Sequence, residues 1–363
     1  MTTLHRLYEQ GQSVWIDFIR RSFLVTGELK NWLDKGARGV TSNPTIFHKA
    51  ISGSSDYDAD LERLSATNLD IEQIYRALAL DDIARAADIE RPLWEISEAG
   101  DGFVSIEVSP RLAHDTAGTV AEARSIVAEL KRPNVMIKVP ATPEGIPAIE
   151  TLIADGTNVN VTLIFGREQY RASAEAYIRG LERRAAEGKD ITRVASVASV
   201  FVSRLDTLAD PLLAQFGLDA LQGKLALANA RLTYVDFKEI FSGPRWQRLA
   251  DMGARVQRPL WASTGTKNPA YPDTLYVDEL VGPHTVNTIP PATLEAVLDH
   301  GRTEPTVETG VDDARETLTS LAAAGADLRA WTEQLLAEGV ASFIASYDAL
   351  LSGIETKVVA LRG

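Results

Sequence analysis

Eight short apolar runs, each followed by sequence of helical period, recur along this chain, and that alternation leaves few folds open. The runs cover 14–19, 39–44, 103–110, 134–140, 158–165, 193–201, 259–265 and 283–289. Helical spacing is expected over 27–35, closed by Gly36, and over 56–90, 116–131, 144–154, 167–187, 204–249 and most of 291–363. Strands joined by helical crossovers make a parallel sheet with helices outside it, and eight is the number that closes a barrel. The expected fold class is therefore α/β, a (β/α)8 barrel, with 1–363 a single domain and 291–363 a mainly helical C-terminal extension. A doubly wound open sheet is the alternative. Its strands are covered on both faces and read as continuous apolar runs, whereas here one face of each run is apolar and the other carries polar residues.

Those polar residues, Asp17, Asn43, Glu107, Lys138, Thr162 and Ser199, sit late in their runs. In a barrel, inward side chains at the C-terminal strand ends line the catalytic mouth. The run around Lys138 constrains function most. Val135, Ile137 and Val139 share one parity and Met136 and Lys138 the other, so in a strand the three apolar side chains face the helices while the lysine faces inward. An amine held there is either paired or chemically employed, since lysine is seldom buried without a partner and burial favours the neutral, nucleophilic form of an amine.

Taken singly, each polar residue has a plain explanation: Lys138 paired with Glu107 or Asp17, Asn43 a turn residue before Pro44, Thr162 ordinary strand propensity, Ser199 a small filler. Six of them converging on one apolar-walled pocket would be costly to bury without a use. Together they suit an amine that attacks a carbonyl. The resulting imine draws electrons from the adjacent carbon–carbon bond, and carboxylates such as Asp17 and Glu107 can move the hydroxyl proton. That inventory describes a Schiff-base aldolase of polyols.

Composition removes other classes. The net charge of −13 argues against a nucleic-acid surface or an anionic membrane as partner. With no cysteine, disulfides, thiolate metal sites and cysteine nucleophiles are excluded. The five histidines (His5, His48, His114, His284 and His300) lack i, i+4 zinc spacing. No glycine-rich dinucleotide fingerprint follows a strand, residues 1–10 lack the basic start and long apolar run expected of a signal peptide, and no stretch reaches 18 uninterrupted apolar residues. The expectation is a cytoplasmic protein that uses no metal or organic cofactor.

Two segments also carry a family resemblance. Gly39-Val-Thr-Ser-Asn-Pro-Thr-Ile-Phe47 resembles the first transaldolase signature, and Val135-Met-Ile-Lys-Val-Pro-Ala-Thr-Pro-Glu-Gly-Ile146 resembles the signature around that family's Schiff-base lysine. The order of Asp17, Asn43, Glu107, Lys138, Asn160, Thr162, Ser199 and Arg204 is similar to the family's active site over about 14–290. The resemblance implies Lys138 as covalent residue, Asp17 as acid/base on the hydroxyl of the cleaved bond, and Glu107 with Thr162 holding a catalytic water. It assigns Asn43, Asn160 and Ser199 to the dihydroxyacetone portion and Arg204 to the sugar phosphate, which suits a guanidinium's forked donors. The family's second arginine is missing from the stretch Ser263-Thr-Gly-Thr-Lys267, where Ser263 and Lys267 are the substrate-binding candidates.

The implied activity is ping-pong transfer of dihydroxyacetone between sugar phosphates in the pentose phosphate pathway. Two rivals are lyases, one resembling fructose 6-phosphate aldolase and one acting on deoxysugar phosphates; a third is a barrel that only binds sugar phosphate or a protein. Leu335, Leu336, Val340, Phe343, Ile344 and Tyr347 form a helical apolar stripe, either core-facing or a dimer contact, so monomer and homodimer both stay open.

Overall fold

Each of the eight runs becomes a parallel strand in the computed structural model, which describes residues 1–362. The strands are β1 Gln12–Asp17, β2 Gly39–Thr41, β3 Phe103–Glu107, β4 Val135–Pro140, β5 Asn158–Ile164, β6 Ser196–Phe201, β7 Arg258–Ala262 and β8 Thr285–Ile289. They close into a barrel in sequence order, with β8 paired to β1. Paired residues of a parallel ladder face the same side. The pairings Glu107↔Lys138 and Lys138↔Asn160 therefore put a carboxylate, an amine and an amide in one inward row. Val135, Ile137 and Val139 face the other way and are buried against helices, as their parity predicts.

The opposite end of the barrel is plugged. Trp15 fills it, and Gly39 is the residue that lets β2 approach, because a Cβ there would stand 2.8 Å from the indole. Asp101 ties the plug together, accepting from the Ser13 hydroxyl at 2.9 Å, Arg38 at 2.7 Å and Arg258 at 3.0 Å. A sequence reading that begins the seventh strand at Pro259 misses Arg258. Its charge looks out of place in a strand until Asp101, from a distant loop, is set beside it.

Element ends differ from the expected ones where local chemistry overrides periodicity. β2 stops at Thr41, so Asn43 is not on a strand; it caps the helix Pro44–Ser52, its Oδ1 accepting from the Ile46 N–H at 2.9 Å. The single helical stretch expected at 56–90 is two helices, Asp58–Ser65 and Ile71–Ile96, the second opened by a capping box between Asp70 and Gln73. The stretch at 204–249 is three α-helices, Ser203–Gln215, Leu225–Ile240 and Pro244–Asp251, with a short 3-10 turn at Asp219–Leu221 between the first two; the last starts where Pro244 suits a first turn.

The C-terminal helix Leu328–Arg362 crosses back over the barrel and packs on the helices Pro44–Ser52 and Asp58–Ser65. By length and composition it is apolar enough to cross a membrane. Its apolar stripe is spent on the fold instead: Leu335, Val340, Phe343, Tyr347, Leu350, Ile354 and Val358 are all buried, and Leu336 and Ile344 pack partly against the core. Thr45 donates to Ser346 at 2.8 Å and Lys357 pairs with Asp58 at 2.7 Å, fixing the helix beside the mouth.

Candidate active site

At the C-terminal strand ends lies a cavity of about 350 Å³ whose wall includes Asp17, Asn43, Lys138, Thr162, Ser199 and Arg204. Lys138 is 5% exposed, and its Nζ donates to the Ser42 carbonyl at 3.0 Å while standing 4.0 Å from Glu107 Oε2. The amine thus forms an ion pair with Glu107 at the outer limit of such contacts, but among the described residues no hydrogen bond joins it to Glu107 or to Asp17. One backbone carbonyl orients Nζ and leaves its remaining bonding directions for the cavity.

Two carboxylates flank the amine. Burial pushes the Asp17 carboxyl up, against the attraction of Lys138, the Thr41 hydrogen bond at 2.7 Å, Arg204 and Lys267. Thr41 is in turn 2.6 Å from the Thr288 hydroxyl, which fixes the carboxylate's supporting donor. Burial also raises the Glu107 carboxyl, to about 7, with Lys138 opposing, Asp17 adding to the rise and Arg204 opposing it. Glu107 Oε2 and the fully buried Thr162 hydroxyl have no hydrogen-bond partner among the described residues. Each of these orphaned polar atoms is a place for a water molecule.

Asn160 lies one inward position below Thr162, in the row of Lys138. Its Oδ1 accepts from Ser199 at 2.6 Å and its Nδ2 donates to Ser105 at 3.1 Å. Ser199 therefore commits its proton to Asn160, and Asn160 retains one amide hydrogen for a ligand. Thr162 is followed by a bulge: the pairing with β6 skips between Val161 and Ile164, and Leu163 sits at φ +58°. Simple alternation would carry β5 straight through this point; the extra residue re-aims the strand end just beyond the Thr162 hydroxyl.

Arg204, second residue of the helix Ser203–Gln215, has its guanidinium carbon 5.1 Å from the Phe201 ring and 6.0 Å from that of Phe343. Burial disfavours its charge, against Asp17 and Glu107, which favour it. Among the described residues it has no hydrogen bond or ion pair, so all five donors are free for an anion. Ser263, at φ +56° just past β7, places its hydroxyl 2.9 Å from that of Ser203 and so joins β7 to the start of the arginine's helix. Lys267 lines the cavity from an exposed loop, and Lys49 does so from the helix Pro44–Ser52.

Every candidate residue is thus gathered at one end of the barrel. Sequence reasoning missed Ser42, whose role is its backbone carbonyl; Thr41 and Thr288, which share the inward parity; and Phe343, which arrives from the C-terminal helix. Thr41 alone left a usable signal, standing two residues from Gly39 in the motif and hence on the same face.

The fold and the site define a (β/α)8 barrel with a lysine-centred mouth flanked by two carboxylates and a free guanidinium. The family described as Transaldolase/Fructose-6-phosphate aldolase matches residues 14–354, through the C-terminal helix, and the chain belongs to that family. It is 46% identical to Transaldolase 2 of Nostoc punctiforme over 99% of both chains. It is 48% identical to the transaldolase of Thermobifida fusca over 98% of both. It is 49% identical to that of Acidothermus cellulolyticus over 97% of this chain and 95% of the relative.

Proposed function

We propose that this chain acts as a cytoplasmic transaldolase, a transferase moving a dihydroxyacetone unit from sedoheptulose 7-phosphate to glyceraldehyde 3-phosphate and giving erythrose 4-phosphate and fructose 6-phosphate. The observation that carries the reading is Lys138, a buried amine held by one carbonyl and aimed into a cavity that has a carboxylate at its wall and a free guanidinium at its rim.

Lys138 Nζ attacks the ketose carbonyl to give a carbinolamine, which loses water to form the protonated imine. Asp17 takes the proton of the hydroxyl two carbons from the imine carbon, on the far side of the bond to be broken, so that this carbon becomes the aldehyde of the leaving aldose. The carbon–carbon bond breaks, its electrons enter the imine to give an enamine, and the first aldose phosphate leaves. The second aldose binds, the enamine carbon attacks its carbonyl, and Asp17 returns the proton to the new hydroxyl. Water held between Glu107 and Thr162 then hydrolyses the imine and frees Lys138. Nothing is oxidised or reduced, and the sequence of steps calls for no cofactor. We read the chain as one domain in which the C-terminal helix supplies Phe343 to the mouth.

Borohydride reduction of protein incubated with fructose 6-phosphate tests this directly. The expected result is a reduced three-carbon adduct on the peptide carrying Lys138, found by mass spectrometry and lost when erythrose 4-phosphate is added first to discharge the enzyme. An adduct on another residue, or none, would overturn the covalent assignment.

Arg204 supplies the phosphate prediction. Arg204→Ala is expected to raise KM for phosphorylated substrates by about 10–100-fold with a smaller change in kcat, because a phosphate held equally in ground and transition states gives uniform binding. Steady-state kinetics with phosphorylated and unphosphorylated ketoses checks it; an unchanged KM would move the phosphate site elsewhere.

A further inference from the structure

A second cavity, of about 240 Å³, lies beside the mouth, between the helices Pro44–Ser52, Ile71–Ile96 and Thr116–Leu130 and the C-terminal helix. Asn43 is on the wall of both cavities, but Glu107 lines this second one. Its side chain is only 7% exposed, and among the described residues its Oε2 has no hydrogen-bond partner, only the 4.0 Å ion-pair contact with Lys138.

The walls combine aromatic rings with acids. Phe47, Tyr75 and Tyr347 meet edge to face, with centroids 5.9 Å and 5.6 Å apart in succession. Two further carboxylates open onto the same space. Glu122 accepts the Ser109 N–H at 2.8 Å, and Glu72 accepts the Tyr347 hydroxyl at 2.7 Å. Arg76 is the one cation on the wall among the described residues, and it is committed to Glu129 at 3.0 Å and Ser125 at 2.9 Å. Burial pushes the Glu122 carboxyl up despite the Ser109 hydrogen bond and Arg76. Acids of which, among the described residues, only Glu107 meets a cation in an ion pair, Lys138 at 4.0 Å, form beside aromatic rings the surroundings in which an ammonium group is held by charge and by ring faces.

We propose that this cavity binds a small organic cation, an ammonium on an apolar or aromatic body, with the ammonium between Glu107 and Glu122 and the body against Phe47, Tyr75 and Tyr347. Because Glu107 also faces Lys138, occupancy lowers kcat and leaves KM for the sugar phosphate unchanged. That consequence rests on the proposed function; binding itself does not.

The test is ligand-observed saturation-transfer NMR on the substrate-free protein with 2-phenylethylammonium, 2-phenylethanol and phenylacetate. The cation is expected to bind, the alcohol at least about fivefold more weakly and the anion not at all, the difference being the charge term. Glu122→Gln keeps an acceptor for Ser109 and is expected to weaken the cation at least about fivefold; Lys138→Ala is expected to retain binding. No binding of the cation at millimolar concentration, equal binding of the three probes, or binding indifferent to Glu122→Gln would overturn the site. A rise in KM with kcat unchanged would place the probe in the catalytic mouth and also overturn it.

Discussion

Lys138→Ala is expected to lower transfer by about four orders of magnitude or more while the protein stays folded. The size follows from the proposed mechanism, in which no other group can replace the covalent residue: the remaining side chains would bind and move protons, but the imine that accepts the electrons of the broken bond would be gone. The reason for the retained fold is local. The amine makes one hydrogen bond, to Ser42, and a 4.0 Å contact with Glu107. Truncation removes both, and water entering from the mouth can solvate the carbonyl. Lys138 is also the largest influence holding the Glu107 carboxyl down, so in the variant that acid is held still higher and its protonated form needs no counter-ion. Circular dichroism melts of the two proteins are expected to agree within about 5 °C. Normal turnover in the variant would remove the mechanism, and collapse of the fold would show that Lys138 is structural.

The inward row of Glu107, Lys138 and Asn160 was legible in the sequence because a parallel ladder preserves parity: once the runs are strands, each residue's face follows. Register was not legible, so the chain of hydrogen bonds from Ser105 through Asn160 to Ser199 could not be drawn from residue types alone. The cap at Asn43 was hidden for another reason. Asn before Pro reads as a turn or a binding residue, and here its Oδ1 is committed to the Ile46 N–H, leaving only the amide hydrogens for a ligand. Contacts brought from far along the chain left no trace: Phe343 beside Arg204, and Asp101 between Arg38 and Arg258, depend on how the barrel closes. The helix boundaries that moved are those set by Asp70, Pro244 and the glycines after Gln215, single residues that end a period without altering it on either side.

Glu107→Gln is expected to slow turnover by about 10²–10³-fold, the scale of a lost general acid–base group, and to flatten the limb of the pH–rate profile near 7. The same substitution tests the linkage between charge and stability. Burial raises the Glu107 carboxyl from 4.5 to about 7, so between those values the folded protein keeps a proton that the unfolded chain has lost. The stabilising contribution is therefore full below pH 4.5 and declines as pH rises through 7. Glutamine carries no titrating proton, so wild type is expected to lose stability relative to the variant across that window, by at most about 3 kcal/mol at pH 8. The variant also loses the attraction between Glu107 and Lys138, which offsets part of the gain; for that reason the decisive quantity is the change in the difference with pH, read from urea unfolding at pH 5 and pH 8. Asp206, likewise raised to about 7 by burial, is common to both proteins and cancels in the comparison. A stability difference independent of pH would mean that Glu107 is ionised throughout. It would then reach the imine-hydrolysis step as a fixed charge that orients water, and the activity limb near 7 would have to belong to another group.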